Sequence, residues 1–223
     1  MQYIHLEKFS VNKEYTNDRV LKYFENNKHS AGCDLGNKVL YNMCKENIEH
    51  IDEDTIASKI WLIGRSYAAA LERRKNADGY NPYFYTQVAK RLIKKFRYID
   101  KTIQYLNNCE FFNETNSDTA LELHYSLTKF FYDETKLNKR SLASKYLHFH
   151  CPNVFFIYDS RARQNLSKYV HKSNKKIENT KNIDYDYMIF CNRMLKLQRY
   201  IYNNFNQCLS TRELDDLLLY YTK

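Results

Sequence analysis

LNKRSLASKYLHFHCPNVFFIYDSRARQNLSKYVH, residues 137–171, is the most legible stretch of the chain. Apolar side chains recur at helical spacing from Ser141 to Phe149. Cys151-Pro152-Asn153 then breaks the pattern, since proline cannot donate and restricts the residue before it. Val154 to Tyr158 form a short apolar run, too short to build a sheet. Asp159 follows, and a new helix opens with Ser160-Arg161-Ala162-Arg163. An acid in that place faces free N–H groups and the positive end of the helix dipole. It reads equally as an ordinary N-cap.

The same period runs through the flanking sequence. Ile56, Ile60, Ile63, Tyr67 and Leu71 share one helical face, with Asp52, Glu53 and Asp54 at its start and Arg73 and Arg74 at its end. Val88, Leu92 and Phe96 mark a helix after Pro82. Ala120, Leu123, Leu127 and Phe130 mark another, with Ser117 or Asp118 as N-cap; Phe190, Met194, Leu197, Ile201 and Phe205 mark a long one. Ser210 and Glu213 form a capping-box pattern before the last helix. Short helices are expected over 36–49 and 100–109, turns over 75–82, 112–118 and 172–184, and strand-like segments only at 2–9 and 154–158. The expectation is an all-α domain with little or no sheet, residues 36–223, and a less periodic N-terminal extension, residues 1–35, packed on it.

Four Gly and two Pro in 223 residues are too few for the turns of a sandwich or barrel. No run reaches the ~18 apolar residues of a membrane span, and MQYIHLEKFSVNKEY lacks the basic and apolar regions of a secretory signal. A cytoplasmic chain with no membrane partner is therefore expected, its six cysteines reduced. Charge is uneven. Residues 1–54 hold 7 Lys/Arg against 10 Asp/Glu, a net of −3, so the other 169 residues carry +12 of the total +9. A cationic excess of that kind suits a polyanion, because each neutralised phosphate releases counterions. It also suits a plain solvated surface.

An apolar lead-in, an aspartate and Arg-x-Arg on the following helix resemble the catalytic segment of the helix-hairpin-helix DNA glycosylase superfamily, most similar to its 8-oxoguanine glycosylase branch. FFIYDSRARQNL is the corresponding segment, and Asp159 stands where that superfamily has its catalytic aspartate. Upstream, KIWLIGRSYAAALERR looks like the superfamily's helix–loop–helix, whose loop enters the duplex beside an extruded nucleotide; Arg65, Ser66 and Tyr67 fall on that loop. The resemblance covers roughly residues 55–205. It implies excision of a damaged or modified base flipped from duplex DNA, by a monomer that needs no cofactor. Phosphate contacts would fall to Arg73, Arg74, Arg140, Arg161 and Arg163, and Tyr67 or Arg65 would fill the gap left in the stack.

The chain departs from that pattern in two places. The hairpin stretch LNKR has no glycine, so Lys139 and Arg140 side chains would replace backbone N–H groups. The bifunctional branch carries a nucleophilic lysine before the aspartate. Lys145 is 14 residues upstream, closer than the usual separation, and Lys139 and Arg140 sit nearer to it. Lys145 and Lys139 therefore both stand as candidate nucleophiles beside Asp159, and lyase activity stays open.

His148 and His150 are two residues apart and point to different sides of a helix, which disfavours chelation, so no metal is expected. His148 shares a face with Lys145 and is placed to tune it. Asp215-Asp216 read as a polar helix face. No P-loop, dinucleotide, nucleophile-elbow or zincin motif occurs. The competing readings are a helical ribonuclease or toxin-like RNA-binding protein, although Arg140 and His148 are too far apart for the usual closely spaced Arg and His, and a non-enzymatic DNA-binding module.

Overall fold

The computed structural model describes residues 3–27, 35–73, 83–95, 98–172, 177 and 182–219. Among them a 3₁₀ turn (Leu6–Lys8) leads into strand β1 (Phe9–Val11), followed by α1 (Lys13–Asn27), α2 (Leu35–Glu46), α3 (Glu53–Ser66), α4 (Phe84–Lys95) and α5 (Ile99–Asn107). The second half holds α6 (Ser117–Thr135), α7 (Arg140–His150), α8 (Ser160–Tyr169), strand β2 (Val170–Lys172), α9 (Tyr185–Phe205) and α10 (Thr211–Leu219). The protein is all-α, as its periodicity predicts. No helix among the described residues is long and apolar enough to cross a membrane. The turn expected at 75–82 lies outside the described residues, as does most of 172–184.

Helix α7 is the axis of the core. Every residue from Leu142 to His150 is buried, with α2, α3 and α6 packed around it. Helices α6 and α7 form a helical hairpin through residues 136–139. Lys136 takes a left-handed conformation at φ 58°, and its N–H caps the Tyr132 carbonyl. A glycine is the usual residue for that turn; a side-chain-bearing residue costs roughly 1–2 kcal/mol there. Helix α4 is tied to α6 by Lys95–Asp133 at 2.9 Å and by the Arg91–Glu134 pair.

The N-terminal segment is more regular than its sequence suggests. Instead of a strand over 2–9, it forms the 3₁₀ turn and then β1, which pairs antiparallel with β2 (Ser10 opposite His171). Residues 13–27 are a full helix whose buried stripe is narrow: Thr16, Val20 and Tyr23. A threonine in the stripe hides the period. Asn192 fastens the segment to α9, accepting from His5 N–H at 2.5 Å and donating to the Tyr3 carbonyl at 2.7 Å.

Helix α3 also ends earlier than expected. Asp52 caps its start by accepting the Thr55 N–H at 2.6 Å. Its end doubles back on itself: Ala69 N–H bonds the Gly64 carbonyl at 2.7 Å, Ala68 is left-handed at φ 50°, and Ala70 Cα lies 3.0 Å from where a Gly64 Cβ would stand. The close approach requires glycine. Leu71 therefore enters the core from a turn and not from the helix.

Candidate active site

Val154 to Tyr158 are buried but join no sheet, Val154 closing the turn after Cys151. Buried backbone groups must still be paired: the Cys151 carbonyl takes the Val154 and Phe155 N–H groups, and side chains take others. His148 Nδ1 lies 2.8 Å from the Phe155 carbonyl, and the Tyr187 hydroxyl donates to the Phe156 carbonyl at 3.0 Å. Tyr158 N–H donates to Ser144 Oγ at 3.1 Å. The run is thus clamped along α7, and the clamp delivers residue 159 beside residue 145.

Asp159 is the N-cap of α8. Its Oδ1 accepts the Ala162 N–H at 2.8 Å, which turns Oδ2 toward α7. Lys145 Nζ stands 3.7 Å from Oδ2 and donates to Ser141 Oγ, one helical turn back, at 2.8 Å. The cap and the facing acid are therefore one residue: Asp159 holds the helix with one oxygen and faces the lysine with the other. Lys145 is 1% exposed. Burial lowers its pKa, and the charges of Asp159 and Asp215 push back upward. A buried lysine with a depressed pKa is the usual route to a nucleophilic amine.

The Tyr67 ring covers the ammonium, with its centroid 5.5 Å from Lys145 Nζ, inside cation–π range. Its hydroxyl donates to Asn37 Oδ1 at 2.5 Å and accepts from Arg212 Nη1 at 3.0 Å. Tyr67 is expected from the sequence to be a wedge for the duplex. It is instead pinned at both ends of its hydroxyl and forms a wall of the site. Arg65 and Ser66, beside it, are exposed; Arg65 pairs with Glu72 and lies near the Trp61 ring.

Other expected residues have different partners. Lys139 is buried and donates to the carbonyls of Ala70 at 3.0 Å and Arg73 at 2.8 Å, so its ammonium stitches the hairpin to the turn after α3. That engagement corrects its reading as a nucleophile; Lys145 is the lysine that faces Asp159. Arg140 is likewise no phosphate hook. It pairs with Asp184 at 2.6 Å and Asp186 at 2.9 Å, stacks over Tyr158, and its side chain is only 18% exposed. Arg73 is exposed and donates to the Ala68 carbonyl. Arg161 and Arg163 are exposed on the first turn of α8, directly beyond Asp159. Arg74 lies outside the described residues.

His148 does not tune Lys145. Its second nitrogen meets the Tyr41 hydroxyl at 2.6 Å, and burial pushes its pKa down to about 4. A surface acid–base histidine for a ribonuclease is therefore not available at this position. Asp215 is also not part of a polar face: it is 2% exposed, whereas Asp216 reaches solvent. Burial raises its pKa to about 7. Its signal was present in the sequence, since Thr211, Leu214, Asp215 and Leu218 share the core-facing spacing of one helix. Asn37, Ser141, Ser144 and Arg212 carried no comparable signal.

No protein-family model, curated protein or solved structure matches this chain. Among the described residues no group of three or more His, Cys, Asp or Glu is arranged to hold a metal ion. The side chains gathered around Lys145 are a carboxylate, a phenol and, beyond the phenol, a guanidinium. Such a set can attack an electrophilic carbon, steady positive charge and relay a proton.

Proposed function

We propose that the protein is a DNA glycosylase that excises a damaged or modified base flipped out of duplex DNA. The observation that carries this reading is the buried Lys145 amine facing the helix-capping Asp159 at 3.7 Å, with Arg161 and Arg163 exposed on the next turn. The helical hairpin of α6 and α7, with the clamped apolar run after it, supports the same reading.

A base inside a duplex is reached only after extrusion, at a cost of a few kcal/mol. Arg161 and Arg163 hold the phosphates beside the extruded nucleotide. Asp159 is the open face of the pair, its side chain 22% accessible against 2% for Lys145, so the sugar meets the carboxylate first. Positive charge develops on the sugar as the glycosidic bond breaks, and the carboxylate stabilises it. Lys145 attacks C1′, and the resulting Schiff base opens the way to strand cleavage.

Borohydride trapping on duplexes carrying a panel of modified bases and an abasic site tests the reading. A covalent adduct is expected, and it disappears in Lys145→Gln. Release of a base without an adduct would make the enzyme monofunctional, with Asp159 activating water. Salt-sensitive duplex binding with neither base release nor adduct would leave a non-enzymatic DNA-binding module.

A further inference from the structure

An amine attacks only an atom brought to about 3–3.5 Å, yet the Lys145 side chain is 2% accessible. Ser141 Oγ accepts one of its protons at 2.8 Å, and Asp159 Oδ2 faces it at 3.7 Å. The Tyr67 ring lies over Nζ, its centroid 5.5 Å away. Access to the amine therefore depends on where that ring stands.

Tyr67 is placed at the rim of the fold. It is half-buried, at the turn that ends α3, between the exposed Ser66 and Ala68. Its ring meets Phe149 of α7 edge-on, with centroids 5.5 Å apart. Its hydroxyl is tied to two other helices: it donates to Asn37 Oδ1 of α2 at 2.5 Å and accepts from Arg212 Nη1 of α10 at 3.0 Å. A ring that only filled space would be served as well by phenylalanine. Here the phenol oxygen is held from both sides, and that fixes the ring over the amine.

We propose that Tyr67 is a gate on Lys145, latched by Asn37 and Arg212, and that it sets the specificity of the amine. Small free electrophiles such as aldehydes are kept out, and a substrate bound by the protein displaces the ring. That this substrate is the sugar of an extruded nucleotide rests on the glycosylase reading; the gate itself rests on the contacts around Nζ and the hydroxyl. Opening breaks two hydrogen bonds and a cation–π contact. Rotation about the Tyr67 side-chain bonds then carries the ring to the solvent side of the turn, with α2, α7 and α10 in place. Binding energy from the rest of the substrate offsets the lost contacts.

The test needs no DNA. Full-length wild type, Tyr67→Phe, Tyr67→Ala and Asn37→Ala are methylated with formaldehyde and cyanoborohydride, and the rate at each lysine is read by peptide mass spectrometry. Formaldehyde condenses with the neutral amine, water leaves, and hydride reduces the imine. Lys59, fully buried on α3 with its ammonium on the Asn47 carbonyl, serves as the internal reference for global opening. In wild type Lys145 is labelled far more slowly than the exposed Lys101, although burial lowers its pKa and so favours the reactive form. Asn37→Ala raises the ratio of the Lys145 rate to the Lys59 rate roughly tenfold, the scale of one hydrogen bond's net contribution. Tyr67→Phe raises it by at least as much, and Tyr67→Ala further. A variant that folds poorly raises both rates together, so the ratio still reads the gate. An unmoved ratio in Tyr67→Phe would overturn the latch, and an unmoved ratio in Tyr67→Ala, or wild-type labelling at the Lys101 rate, would overturn the gate. Borohydride trapping of the same proteins on an abasic duplex separates the two readings. A raised ratio with no duplex adduct keeps the gate and discards the glycosylase; an adduct with an unmoved ratio does the reverse.

Discussion

Ser144 and Tyr158 meet through one hydroxyl, which accepts the Tyr158 N–H at 3.1 Å and lies 3.5 Å from the Tyr158 carbonyl, and each immediately precedes a residue of the proposed pair, Lys145 and Asp159. The register of that pair is therefore set by one hydroxyl. Ser144→Ala leaves a buried N–H without its acceptor, which costs about 1–3 kcal/mol. The expected outcome is a modest loss in urea denaturation and a larger fractional loss of trapping rate. Equal losses in both would deny Ser144 a positioning role.

His148 and His150 lie two residues apart on α7, both fully enclosed, yet their environments are opposite. His148 pairs with the Phe155 carbonyl and the Tyr41 hydroxyl, whereas neither ring nitrogen of His150 has a partner. His148→Phe takes the partner from the buried Phe155 carbonyl and one contact from the half-buried Tyr41 hydroxyl, and is expected to destabilise by about 1–3 kcal/mol. His150→Phe orphans none and is expected to be neutral or stabilising. Chemical denaturation of the two variants side by side checks the contrast.

Acid lability follows from the buried histidines. Burial holds His124 and His148 down to about 4, below the value near 6.5 of an unfolded histidine. Between those limits the unfolded chain binds more protons, so stability is full above about pH 6.5 and is lost as pH falls toward 4. Each contributes up to about 3 kcal/mol over that window. Midpoints of urea unfolding at pH 7 and pH 4.5 are expected to differ accordingly, and His124→Phe should reduce the difference.

Asp215 acts in the opposite sense. Its pKa rises from 3.8 to about 7, so the folded protein holds a proton that the unfolded chain has released. Stability from this group is present below about pH 4 and is lost as pH climbs through 7. Asp215→Asn is expected to raise the melting temperature at pH 8 and leave it nearly unchanged at pH 4. A gain of equal size at both values would show that the carboxyl does not titrate in this range.

Arg161 and Arg163 are exposed on α8 and contribute little to the core. If both contact phosphates, replacing them by Gln lowers the slope of log affinity against log salt by about 2, at roughly 0.9 per contact. Melting temperature should not change. Filter-binding or anisotropy titrations at several salt concentrations with one duplex provide the measurement. An unchanged slope would put the phosphate track elsewhere.

Helix periods were legible in the residues alone. So were the break at Pro152, the cap at Asp159 and the Ser210–Glu213 capping box, which forms with Glu213 N–H donating to Ser210 Oγ at 3.2 Å. These are local facts, written by spacing along one chain segment. Residues 13–27 escaped because a buried Thr16 breaks the apolar stripe, and the turn after Ser66 escaped because it depends on Gly64 lying against Ala70.

The sequence alone established a helical chain with an acid at a helix start and lysines a short way upstream. It left Lys145 and Lys139 on equal terms. Folding separated them, because the carbonyls of Ala70 and Arg73 reach one ammonium and the carboxylate of Asp159 faces the other. Arg212 and Asn37 reach the Tyr67 hydroxyl the same way, from helices α10 and α2. Pairing between distant segments depends on how faces pack and which polar groups burial leaves without water, and no spacing within a single helix encodes that.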